Sequence, residues 1–235
     1  MSSSASNATA FKDLCLDTTD ASVAALFWAP VLGLSAQHRD GNVRLVDDVD
    51  EHTVWLNLVP EEKSSKNRVH LDVHTAAVAD LEAFGARVLD DTQPWTVMAD
   101  PEGGEFCAFV RPSDQLPRYR LYEVVVDCVD PGRIATWWAE QFGVEAQRDP
   151  TGTAWYLDDG PGLPWEMVFD AVPEPKTVKN RVHWDVWGTT ATLLAAGATV
   201  LRRRDDQQGL PGRDAISWDV LADPEGNEFC VFARE

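Results

Sequence analysis

The chain has 235 residues, is 44% hydrophobic, and carries 39 acidic against 20 basic side chains for a formal charge of −19. Length and apolar content suffice for a core in one or two domains and exclude low-complexity disorder for most of the chain, while the charge argues against nucleic acid or an anionic membrane, whose phosphates need clustered cations. No apolar run approaches the ~20 residues of a membrane helix, and the four scattered cysteines, Cys15, Cys107, Cys128 and Cys230, read as those of a reduced cytoplasmic protein.

Residues 1–10 read as a flexible tail with no basic region and no apolar core. Phe11 to Asp17 alternates as a strand and runs into a helix N-cap at Asp20; its equivalent is Tyr122 to Asp127, followed by Asp130 and by Pro131 at the first helical position. The helices that follow place Ala24, Phe27, Trp28, Val31 and Leu32, and Ile134, Trp137, Trp138, Gln141 and Phe142, on one apolar face. Gly33 and Gly143 end them as left-handed C-caps. Short strands are expected at 43–46 and 53–59, and again at 154–157 and 165–169.

A polar loop then leads to the most informative stretch. Asn67 to Val73 reads Asn-Arg-Val-His-Leu-Asp-Val, and Asn180 to Val186 reads Asn-Arg-Val-His-Trp-Asp-Val. Arg, His and Asp alternate with apolar residues, the period-two pattern of a strand with one polar face. Second helices are expected from Thr75 to Phe84 and from Thr189 to Ala196, closed by Gly85 and Gly197. The last strands, Glu105 to Val110 and Glu228 to Ala233, each follow an Asp-Pro-Glu-Gly turn.

The chain is therefore a tandem duplication, with an insertion in the second copy near Gly209 to Arg213, where Gly and Pro cluster. Four modules of one kind fall into two domains, 11–111 and 119–235, joined by a linker at 112–118.

This order, with His on the strand that opens the second module and Asp-Pro-Glu-Gly-Asn-Glu-Phe-Cys at the last, resembles the vicinal oxygen chelate superfamily. That group contains glyoxalase I, extradiol dioxygenases, fosfomycin-modifying enzymes and bleomycin-binding proteins; more narrowly, the motifs resemble the actinobacterial glyoxalase-like domain subfamily. The resemblance implies an α+β fold of tandem glyoxalase-like domains, each of two βαβββ modules curling a mixed sheet into a cup. It places His70 and His183 at the family's ligand histidine, and puts Cys107 and Cys230 where the family carries a glutamate. The first-strand ligand position falls on Asp13 and Glu123, and the position closing the first module lies near Asn57 and Asp170.

Several chemistries remain open for these residues. A divalent metal would be held by His183, Glu123 and Asp170; otherwise each His is held by Asp72 or Asp185 within a polar cup. Cys107 and Cys230 are either nucleophiles or small apolar fillers. Glu105 and Glu228 share their strand face and pair with the histidines as acid and base, or are solvated strand ends. Trp55, Trp165 and Trp187 are candidate aromatic walls; Trp187 continues the face of His183 and Asp185.

The expectation is a small-molecule-binding protein with the second half as its working site, sequestering a cationic or aromatic compound such as an antibiotic. The alternative is a divalent-metal-dependent lyase, isomerase or dioxygenase. Modules of such proteins pair within one chain or between chains, so a homodimer is a further expectation.

Overall fold

The computed structural model describes residues 9–204, 206 and 216–234; the loop expected near Gly209–Arg213 and residues 1–8 of the expected tail lie outside these. Thr9 and Ala10 are buried and Ala10 opens the first strand, so the tail reading does not extend to residue 10.

Each module runs strand, helix, three strands. The first comprises β1 (Ala10–Thr18), α1 (Ala21–Leu32), β2 (Ser35–Arg39), β3 (Asn42–Val46) and β4 (Val54–Leu58). The second comprises β5 (Val69–Thr75), α2 (Val78–Ala83), β6 (Arg87–Asp90), β7 (Thr96–Ala99) and β8 (Glu105–Val110). In the third are β9 (Leu121–Cys128), α3 (Pro131–Phe142), β10 (Gln147–Arg148), β11 (Ala154–Leu157) and β12 (Glu166–Ala171). The fourth holds β13 (Val182–Trp187), α4 (Thr190–Ala195), β14 (Thr199–Arg202), β15 (Asp219–Ala222) and β16 (Glu228–Phe232).

The helix ends follow from their residues. Asp20 accepts hydrogen bonds from the Ser22 and Val23 N–H groups, Asp130 accepts one from Arg133, and Gly33 and Gly143 take φ of 75° and 71° at the C-caps. Among the described residues no helix is long and apolar enough to cross a membrane.

Two eight-stranded sheets result, and they cut across the halves of the chain. Sheet one has the order β14-β15-β16-β13-β1-β4-β3-β2, and sheet two β10-β11-β12-β9-β5-β8-β7-β6. Each cup is indeed two βαβββ modules, but one module comes from each half. At the centre of sheet one β1 pairs antiparallel with β13, and at the centre of sheet two β5 pairs antiparallel with β9.

Apolar packing runs the other way and joins modules of the same half. Phe27 and Trp28 on α1 pack edge-on against Phe106 of β8, with centroids 5.7 and 5.4 Å away, and Trp138 on α3 packs against Trp184 and Phe229 at 5.1 and 5.0 Å. Hydrogen bonds thus tie half to half while helices tie sheet to sheet.

The stretch expected as a linker is held in place. It forms a short 3-10 turn at Ser113–Gln115 and then crosses the end of α1, where the Arg120 N–H donates to the Leu32 carbonyl at 3.0 Å. Tyr119 is buried and stacks on His52 at 3.9 Å.

The halves differ at Gly104, whose counterpart is Asn227. Asn227 donates its amide to Asp223 at 3.0 Å and accepts from the Asn180 amide at 3.0 Å. In the first half Trp28, Asn67, Asp100 and Gly104 border a void of about 30 Å³, room for one water. An added Cβ at Gly104 would meet Asp100 Oδ2 at 2.8 Å, so the carboxylate must turn about Oδ1, which accepts from the Glu102 and Gly104 N–H groups, just as Asp223 does beside Asn227. Gly104→Asn is expected to raise stability by about 1 kcal/mol, by supplying the missing hydrogen bonds and lowering unfolded-state freedom. A denaturant midpoint that falls instead would show that Asp100 cannot yield.

Candidate functional site

The alternation read from the sequence sorts the central strands into two faces. Leu14, Leu16, Leu71, Val73, Val124, Val126, Trp184 and Val186 enter the core. The residues between them line the opposite, concave faces.

In sheet one Cys15 lies opposite His183 and Asp13 opposite Asp185, while Asp185 neighbours Cys230 on β16 and Asp17 neighbours Asn57 on β4. In sheet two Val125 lies opposite His70 and Glu123 opposite Asp72, Asp72 neighbours Cys107, and Asp170 neighbours Asp127. The proposed metal trio is therefore divided. Glu123 and Asp170 belong with His70, and His183 belongs with first-half residues, because each sheet is completed by the other half of the chain.

Two donor clusters stand at these centres. Ligand atoms of Cys15, His183 and Asp185 all lie within 4.8 Å of one another, as do those of His70, Asp72 and Cys107. Cys15 was missed in the sequence although it continues the Asp13, Asp17 face; its sheet-two equivalent is Val125, which hides the position in a comparison of repeats.

Burial dominates the electrostatics. It pushes Asp185 from its ordinary 3.8 to about 7, with Lys12 opposing and Asp13 reinforcing the rise, and it lifts Asp72 with help from Glu123. Burial, then the neighbouring Asp185, raises the Cys15 and Cys230 thiols well above their ordinary range; Cys107 is raised by burial and then by Asp72. His70 falls to about 4 and His183 is lowered, both chiefly by burial, so each imidazole is neutral. Raised thiols are the reverse of what a nucleophile needs, and the filler reading suits Cys107 and Cys230 better in the metal-free protein.

The acid-base reading of the strand-end glutamates meets a structural competitor. Glu228 accepts from Lys176 Nζ at 2.6 Å and the Asn180 N–H at 3.1 Å; Glu105 accepts from Lys63 Nζ at 3.0 Å and the Asn67 N–H at 3.0 Å. Burial alone would raise Glu105, but the Asn67 and Lys63 bonds outweigh it and leave it lowered. These carboxylates anchor the loops that precede β5 and β13.

Beside the sheet-one cluster opens a cavity of about 570 Å³ bordered by Lys12, Asp13, Arg44, Trp55, Trp187 and Arg234. Trp55 Nε1 donates to Asp13 at 3.2 Å, and Lys12 pairs with Asp13 while its ammonium sits 5.3 Å from the Trp187 ring and 4.4 Å from that of Phe232. Trp165 is no wall: it is buried edge-on against Phe11, 5.0 Å between centroids. In sheet two the positions of Lys12 and Trp187 are Tyr122 and His74, whose rings stack at 4.6 Å.

A family model described as the glyoxalase-like domain matches residues 13–109 and again 123–232. The chain belongs to the glyoxalase-like domain family. This places it in the vicinal oxygen chelate superfamily, and solved structures agree at the level of fold. Glyoxalase I from Zea mays superposes with a TM-score of 0.61 at 13% identity, covering 95% of this chain and 92% of that one. A putative dioxygenase from Bacillus subtilis subsp. subtilis str. 168 gives 0.63 at 10% identity, covering 96% and 85%. No curated protein sequence matches.

Members of this superfamily often use a divalent metal, and the glyoxalase-like clusters fit one. Neutral imidazole is the ligand form of His, and a cation would take the place of protons on the buried carboxyl and thiols. Within these residues His183 Nδ1, Asp185 Oδ1 and Asp72 Oδ1 are buried without a hydrogen-bond partner, although His70 Nε2 is 3.4 Å from Asp72 Oδ1. Unmatched buried polar atoms are costly, and a bound ion would satisfy them.

Proposed function

We propose that this glyoxalase-like protein binds a small organic molecule in the sheet-one cup, with a flat aromatic body against Trp55 and Trp187. The observation that carries this reading is the cavity beside the Asp13–Asp185 pair: its volume is within the range of ligand pockets and its walls combine two indole rings with charged groups. Lys12, already seated over Trp187 and Phe232, indicates that this surface suits a cation, and a cationic ligand would replace it there. Sequestration of an antibiotic-like compound is the finer form of the same reading. Each cup is completed within one chain, so the site does not depend on a homodimer.

Titration of intrinsic tryptophan fluorescence with a panel of cationic and neutral aromatic compounds tests it. We expect saturable quenching that Trp55→Ala or Trp187→Ala weakens roughly tenfold, the loss of one stacking or cation–π contact, while Trp95→Ala leaves it unchanged. A panel that gives no saturable binding sinks the proposal.

A second reading, a divalent-metal-dependent lyase, isomerase or dioxygenase, is favoured by the two donor clusters. A metal there would polarise a substrate oxygen; the chain's own contribution would be the open cavity, walled by Trp55 and Trp187, that positions the substrate beside it.

A further inference from the structure

We infer that the sheet-one cup, rather than its sheet-two counterpart, is a site for one thiophilic divalent cation of the zinc class, held by Cys15, His183 and Asp185 with Cys230 alongside. This deepens the metal-dependent reading and rests on it.

The donors come from three adjacent strands. Cys15 on β1 is opposite His183 on β13, two residues along β13 stands Asp185, and next to Asp185 on β16 stands Cys230. Cys15, His183 and Asp185 present ligand atoms within 4.8 Å of one another, and all four side chains are buried. His183 is 8% and Asp185 5% exposed, yet His183 Nδ1 and Asp185 Oδ1 have no partner. A nitrogen, an oxygen and a sulfur within reach of one ion, with the Cys230 thiol on the adjacent strand, form a set that suits zinc, whereas magnesium and calcium require oxygen.

Sheet two lacks the features that make the set soft. Val125 replaces Cys15, which leaves one thiol, and Tyr122 replaces Lys12. In sheet one Lys12 and Lys179 lie beside the cluster, in ion pairs with Asp13 and Asp17, whereas sheet two keeps only the second of these pairs, as Lys66 with Asp127. The charge of Lys12 and Lys179 offsets the negative charge left once Cys15 and Asp185 have each released a proton to solvent on binding the cation. Exchanging the family's glutamate for Cys230 therefore changes the kind of metal the cup accepts.

The test is a Co²⁺ titration of the full chain after chelator treatment, read by absorption. The expected result is one tightly held equivalent with visible bands of a tetrahedral site and a near-ultraviolet sulfur-to-cobalt charge-transfer band. Cys15→Ser should reduce that band and weaken uptake by roughly tenfold or more, whereas Cys128→Ala, which removes a buried thiol outside both clusters, should leave both unchanged. Cys15→Ala, which adds no buried hydroxyl, gives the same reading if the serine variant fails to fold. If the chain takes up no cobalt, both the inference and the metal-dependent reading fall. If cobalt binds without a sulfur band, or with one that survives Cys15→Ser and vanishes in Cys107→Ser, the inference is overturned and the metal-dependent reading stands.

Discussion

Asp185→Asn is expected to stabilise the metal-free protein strongly at pH 8 and hardly at all near pH 4. The carboxyl moves from its ordinary 3.8 to about 7 on folding, chiefly through burial. Between those values the unfolded chain carries Asp185 ionised while the folded chain keeps the proton, so stability falls as pH rises through this window; above about 7 the loss is complete. The span corresponds to roughly 4 kcal/mol as an order of magnitude. Asparagine retains an oxygen for the neighbouring Cys15 and Cys230 thiols and has no charge to bury. The buried imidazoles act in the opposite sense. His70, lowered to about 4, withholds a proton that the unfolded chain gains below 6.5, so it removes stability as pH falls. The difference between variant and wild type therefore isolates Asp185 where the wild-type curve alone would not. Chemical denaturation in chelator at pH 4, 6 and 8 measures it; a difference that does not grow with pH would mean the carboxyl ionises freely in the fold.

The two helix-capping glycines should respond very differently to the same substitution. Gly33 and Gly143 share the left-handed conformation, with φ of 75° and 71°, so alanine at either incurs about 1–2 kcal/mol of backbone strain. At Gly143 an added Cβ meets nothing within 4 Å, whereas at Gly33 it would lie 1.9 Å from the Arg118 carbonyl oxygen. Relieving that overlap means moving the segment that brings Tyr119 into the core and Arg120 onto the end of α1. Overpacking adds roughly 1–3 kcal/mol. Gly33→Ala should therefore lower the thermal midpoint about twice as far as Gly143→Ala, and equal shifts would show that residues 117–120 give way freely.

Much of this molecule is legible in its sequence, and the illegible parts share a cause. The period of two around His70 and His183, the caps at Asp20 and Asp130 and the glycine stops are local signals, and each describes the structure closely. β2 was unreadable because all five of its residues are exposed, so no alternation marks it. β10 is a two-residue strand. The partners of each histidine were unreadable for a different reason. Which strand lies opposite β13 depends on pairing between chain segments more than a hundred residues apart, and the repeat makes β1 and β9 equally plausible mates. Proximity in sequence groups Glu123 and Asp170 with His183, whereas strand pairing groups them with His70. Cys15 was obscured because its repeat partner is valine.

Because every sheet borrows its central partner from the far half, neither half by itself completes a sheet. A fragment ending after β8 would expose two unpaired strand edges at β1 and β5, where a second copy of the same fragment could add. The intact chain behaves as a covalently linked version of such an assembly. Sheet two is complete once β12 has been made, but the β1–β13 seam of sheet one must await the C-terminal module and draw shut the longest loop in the chain, a cost that rises slowly with loop length.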